Sequence, residues 1–151
     1  MSRIDKELAE ILAPAEQPPI LTVVPKPKPQ KPALAHWERC KGWIAEGLGD
    51  DALITLADIE VQIGAGTAIL WPGKAAAIVS EFVTYPSGDR AAQVMSAGGD
   101  LDEILAMVPG MEAFARLNDC TVVTIEGRRG WEKVMKPSGY GFWAVTLRKK
   151  L

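Results

Sequence analysis

The chain has 151 residues, 48% hydrophobic and 24% charged, with a formal net charge of -2. That balance suits one globular domain and gives no basic face of the kind that gathers nucleic acid. No apolar run approaches the ~20 residues of a bilayer span, and no apolar segment follows Met1 as a signal peptide would, so no membrane partner is expected. Cys40 and Cys120 stand apart with no CxxC, and His36 is the single histidine. Two free thiols in a reducing cytoplasm and no metal site are expected.

Residues 1–35 read as an arm. "SRIDKELAEILA" places Ile4, Leu8, Ile11 and Leu12 on one helical stripe over about three turns, with Ser2 available as a cap. Seven of the eleven prolines follow within residues 14–32, including "PKPKPQKP" at 25–32. Each fixes φ and removes a donor, so an extended polyproline-like strap is expected there. "PPILTVV" adds Ile20, Leu21, Val23 and Val24 as a second apolar patch. A plain tether would be polar and rich in Gly and Ser. The arm is therefore read as a docking device, with those eight apolar residues as its partner-binding positions.

Residues 36–151 read as a folded domain. "HWERCKGWIAEGL" repeats Trp37, Cys40, Ile44 and Leu48 at helical spacing. "TLADIEVQIGAG" opens on Thr55 as a cap, repeats Leu56, Ile59 and Ile63, and ends in glycines suited to a C-cap. The period then becomes that of strands in "TAILW", "AAAIVSEFVTY" and "AAQVMSA", joined by the turns "PGK" and "PSGDR". A helix follows from Asp100, whose pairing with Glu103 predicts a capping box; Pro109 should kink or split it. "TVVTIEG" is a buried-looking strand, "RRGWEKVMKPSG" a short helix stopped by Pro137 and Gly139, and "YGFWAVTLRKK" a closing strand. The expected class is α+β: a mixed sheet of about five strands with flanking helices, in the order ααβββαβαβ.

That order, with the stretch from "MSAGGD" onward and the ending "GRRGWEKVMKPSGYGFWAVTL", resembles the GCN5-related N-acetyltransferase (GNAT) superfamily. "LWPGKAAAIVSEF" and "GDLDEILAMVPGMEAFARLNDCTVVTIEGRRGWEKVM" are also similar to small acetyltransferase-like proteins encoded among phage structural genes. The resemblance implies two parallel strands that splay apart, with acyl-CoA in the gap. It also implies a turn of the form [R/Q]-x-x-G-x-[G/A] that holds the CoA pyrophosphate on backbone N–H groups at a helix start. The matching stretch here is "SAGGDLDE", so in an active enzyme Ala97, Gly98, Gly99 and Asp100 would be the cofactor-binding residues. The Arg or Gln and the glycine spacing are missing, and Asp100, Asp102 and Glu103 crowd the first turn. Like charges ~4 Å apart repel by roughly 1–4 kcal/mol between water and a protein surface, against a helix dipole of about 0.3–1 kcal/mol. The turn therefore reads as built to cap itself.

Proton-handling residues are sparse. Four residues before Gly139, where the family often places a tyrosine acid, stands Met135, and Tyr140 takes an aromatic packing position. Glu81 lies on a central strand where a general base can sit, and Arg128 and Arg129 could meet an anion or simply open a helix. The five tryptophans, at 37, 43, 71, 131 and 143, are core by default and an interface if exposed. No residue is singled out as catalytic and no cofactor is expected. The sequence reading is a non-catalytic phage structural or assembly protein, a virion or head–tail component assembled in the bacterial host cytoplasm. Its arm would dock to other phage structural proteins or to copies of itself. The alternative is an acetyl-CoA-dependent N-acetyltransferase, so catalysis stays open. Nucleic-acid contact through Lys26, Lys28, Lys31, Arg148, Lys149 and Lys150 is the weakest reading, because the net charge is -2.

Overall fold

The computed structural model describes residues 31–151, with side chains from Leu34 onward. The arm's docking positions Ile4, Leu8, Ile11, Leu12, Ile20, Leu21, Val23 and Val24 lie outside the described residues.

Helix α1 spans Lys31–Leu48, so residues 31–35, which the sequence reading gives to the arm, are already helical. Pro32 falls in the first turn, where its fixed φ suits a helix and its missing N–H breaks no intrahelical bond. Helix α2 (Leu56–Ala65) is bounded as its sequence predicts. Thr55 Oγ1 accepts from Asp58 N at 3.2 Å, the Asp58 carboxylate accepts from Thr55 N at 2.9 Å, and Gly66 closes the helix at φ 77°. Only glycine takes that left-handed φ without steric penalty.

Strands β1 (Ala68–Pro72), β2 (Ala76–Thr84) and β3 (Arg90–Gly99) form the expected antiparallel meander. Helix α3 (Leu101–Leu117) crosses over to β4 (Val122–Ile125), which lies parallel to β3. Helix α4 (Gly130–Met135) and a 3₁₀ turn (Lys136–Ser138) follow, ended by Gly139 at φ 89°. The sheet order is β1-β2-β3-β4. One face of the sheet buries Ala68, Leu70, Ala77 and Val79 under Trp37, Cys40 and Ile44 of α1 and Ile59 and Ile63 of α2. The other buries Ala76, Ile78 and Val94 against Ile104 and Met111 of α3.

Three expectations need correction. The sheet has four strands among the described residues, not five: residues 141–151 carry no strand. A strand must have an edge to bond to. This segment instead touches the body through Trp143, whose ring meets Tyr85 at 6.3 Å, and through Arg148 and Lys150 at Asp51. β4, which reads as a buried strand, is an edge with Val122 exposed. Pro109 does not split α3, because its ring sits on the solvent side, where the carbonyl freed at Leu105 can turn to water.

Candidate functional site

The feature to which the sequence resemblance points is the gap between β3 and β4. β4 bonds only to Ala91–Val94, while β3 runs on to Gly99. The bonding edge of β3 that faces this gap is thus free of β4 from Met95 to Gly99. A bulge sits at its base: Val79 opposes Ser96 and Ser80 opposes Val94, which leaves Met95 extra. Beyond Ile125 the chain turns away through Glu126 and Gly127 into α4, so the two parallel strands diverge. Ser96, Ala97, Ile104, Met111, Glu126 and Trp131 line the opening, which narrows to a void of about 20 Å³. That is room for a single water.

Parallel strands joined by a helix and then splayed, behind an antiparallel meander, decide the architecture. The fold is GNAT-like. Among solved structures the chain is similar to TTHA1254 of Thermus thermophilus at 12% identity and TM-score 0.53, covering 78% of this chain and 91% of that one. Glucosamine-6-phosphate N-acetyltransferase of Arabidopsis thaliana aligns at 13% identity and TM-score 0.50, covering 75% and 90%. A Trypanosoma brucei acetyltransferase aligns at 11% identity and TM-score 0.44, and only 59% of its length is spanned. No family model matches the chain, and no curated protein matches it. Identities this low carry the fold and nothing more.

The sequence resemblance implies acyl-CoA, and the described residues fit it poorly at the diphosphate. Between β3 and α3 stands one residue, Asp100. Ala97, Gly98 and Gly99, the conditional cofactor residues, are not a loop but the paired end of β3, opposite Ile78, Ala77 and Ala76. Gly98 is glycine for another reason: a Cβ there would overlap the backbone carbonyl of Trp43 in α1. A Cβ at Gly47 would likewise overlap the carbonyl of Ala97. The close approach that glycine permits is taken by the protein's own helix.

The first turn of α3 is also occupied. Asp100 Oδ2 accepts from Glu103 N at 3.0 Å, so half of the predicted capping box forms. The other half does not: Asp100 N donates to Ala75 O at 2.9 Å. The Glu103 carboxylate turns instead to the β1–β2 turn, accepting from Ala75 N at 2.9 Å and from Lys74 N. Arg39 Nη1 holds the same turn by donating to Gly73 O at 2.6 Å. Sequence spacing points to a local partner for Glu103, whereas its partners lie 28 and 29 residues away.

Around the rim, Glu81 is half-buried, and burial followed by the nearby Glu126 carboxylate pushes its pKa up. The sequence places Glu81 where a general base can sit or where a carboxylate is simply solvated, and the fold sets it near the Glu126 carboxylate, which lines the gap. Met135 is buried and lines the gap, offering no proton. Tyr140 lies outside it, with a hydroxyl that is buried and unpartnered among the described residues; burial raises its pKa to about 12, so it stays protonated. Arg128 Nη2 donates to Glu46 O at 3.0 Å and so caps the last turn of α1. His36 is exposed near Arg39, and both cysteines are free thiols. Among the described residues no three His, Cys, Asp or Glu side chains group as metal ligands. Trp37 is buried, Trp43, Trp71 and Trp131 are half-buried, and Trp143 is exposed.

Proposed function

We propose that this chain is a non-catalytic assembly protein that keeps a GNAT-like fold as a rigid body and works by docking to other proteins. The observation that carries this reading is the start of α3, where a diphosphate would need free N–H groups. There a single-residue connection, the Asp100 cap and the Glu103 carboxylate take up the space and the charge. The setting comes from the sequence: the resemblance to acetyltransferase-like proteins among phage structural genes points to a virion or head–tail component, with residues 1–35 as the docking arm. Isothermal titration of the full chain with acetyl-CoA at low salt tests it. No heat of binding is expected, and a dissociation constant in the micromolar range would overturn it.

The second reading is a working N-acetyltransferase. It draws on the free edge of β3 from Met95 to Gly99 and on the raised pKa of Glu81. A carboxylate whose pKa is raised by burial is a stronger base than a solvated one and better suited to take a proton from an amine. In that case the same titration gives binding, and Glu81→Gln lowers turnover while leaving binding intact.

A further inference from the structure

We infer that α4 and the chain after it form a binding surface for single-stranded nucleic acid, with a row of cations for the phosphates and two exposed aromatic rings for the bases. The net charge of -2 conceals a separation within the chain. From residue 127 onward seven Lys and Arg side chains stand against one acid, Glu132, which is +6 and leaves -8 for the rest. A charge divided in this way points to a polyanionic partner for the basic part.

The fold gathers that charge on one surface. Arg129, Lys133 and Lys136 fall at i, i+4 and i+7, and helical φ and ψ hold at both Arg129 and Lys136. The three therefore share the face opposite Trp131 and Met135, which line the gap, and all three are exposed. At 1.5 Å per residue the row is about 10 Å long. Among the described residues neither these three nor Lys149 make an ion pair or a hydrogen bond. Unpaired cations in a row are what a phosphate backbone engages. α4 leaves from the end of α1, where Arg128 Nη2 donates to Glu46 O. The chain comes back to that end, where Arg148 Nη1 donates to Asp51 O and Lys150 meets the Asp51 carboxylate. The stretch between is a loop closed at its base, and Phe142 and Trp143 lie on it, 67% and 72% exposed. The Trp143 ring stands edge-on to Tyr85 at 6.3 Å, which orders it without burying it. Free cations alone would accept any acidic partner; exposed rings beside them favour one with bases to stack. A duplex keeps its bases inside, so the single strand is the form that fits.

Fluorescence anisotropy of a labelled thymidine oligonucleotide, titrated with the full chain, tests this. With the four unpaired cations on phosphates, log K should fall with log salt at a slope of about -3, so affinity drops about 50-fold between roughly 50 and 200 mM. The triple variant Arg129→Gln, Lys133→Gln, Lys136→Gln should keep the wild-type melting curve, since these side chains pair with nothing described, and should lose about two units of that slope. Trp143→Ala should weaken binding about fivefold or more at an unchanged slope, because stacking is not ionic. Absence of binding at low salt overturns the inference. So does a triple variant with the wild-type slope, or a Trp143→Ala variant with the wild-type affinity. Competition by polyglutamate as strong as by unlabelled oligonucleotide also overturns it, marking the surface as one for acidic proteins. None of these outcomes depends on whether acetyl-CoA binds.

Discussion

Replacing Glu103 by alanine separates a carboxylate that holds the fold together from one that merely sits at a helix start. The side chain accepts from two backbone amides of the β1–β2 turn, Lys74 N and Ala75 N, while Arg39 grips the same turn through Gly73 O. A hydrogen bond to a charged group nets about 1.5–3 kcal/mol when desolvated. Glu103 is half-buried, so about half that value per bond is appropriate, giving roughly 2 kcal/mol for the pair. In a chain of this size each kcal/mol moves the melting temperature by about 2–4 °C, so Glu103→Ala should melt about 4–8 °C below wild type. Asp102→Ala is the control, since Asp102 shares the first turn but is exposed. It should fall within about 0.5 kcal/mol of wild type. Thermal melts followed by circular dichroism read both. Equal, small shifts for the two variants would refute the reasoning and leave Glu103 as one more solvated charge.

Gly98→Ala should destabilise by at least about 1–3 kcal/mol, seen as a lower denaturant midpoint, because the new methyl overlaps the Trp43 carbonyl and α1 must move. Tyr140→Phe should be neutral or slightly stabilising in the same assay, since it deletes a buried hydroxyl without a described partner. In the wild type this tyrosine should ionise near pH 12 by ultraviolet absorbance. For Glu81 the sign follows from a pKa raised in the fold: its stabilising, neutral form is lost as pH rises through that value. Glu81→Gln should therefore be more stable than wild type at neutral pH, and the gap should close as pH falls below the ordinary carboxylate value of 4.5.

Elements whose partners are close in sequence are the legible ones. Thr55, Asp58 and Gly66 bound α2 as read, and the β1–β3 meander follows from alternation and two turns, all local signals. The gap between β3 and β4 is legible only through the family resemblance, because nothing local announces where two parallel strands diverge. Glu103 misleads because a carboxylate three residues after a cap has a ready local partner, and the turn it actually holds lies far back in the chain. The glycines at 98 and 99 invite a phosphate for the same reason, since the approach of Trp43 is a tertiary fact. "YGFWAVTLRKK" has the propensity of a strand, but propensity describes a fit to a pleated surface and supplies no neighbour. The start of α1 reads late because Pro32 counts with the extended prolines, although a first-turn proline opens helices well.

Arg128 ties the exit of β4 to the end of α1, and Gly47 and Gly98 let that helix lie directly on β3. The two arms of the gap are therefore tied together by one helix, and the void between them has room for a single water. A guest larger than that would need α1 to shift before it could enter. Were that shift to cost about 3 kcal/mol, the apparent affinity of every guest would fall by roughly 150-fold, whatever contacts it made inside. Loosening the clamp at Arg128 would be felt as a gain in binding by a residue that never touches the guest.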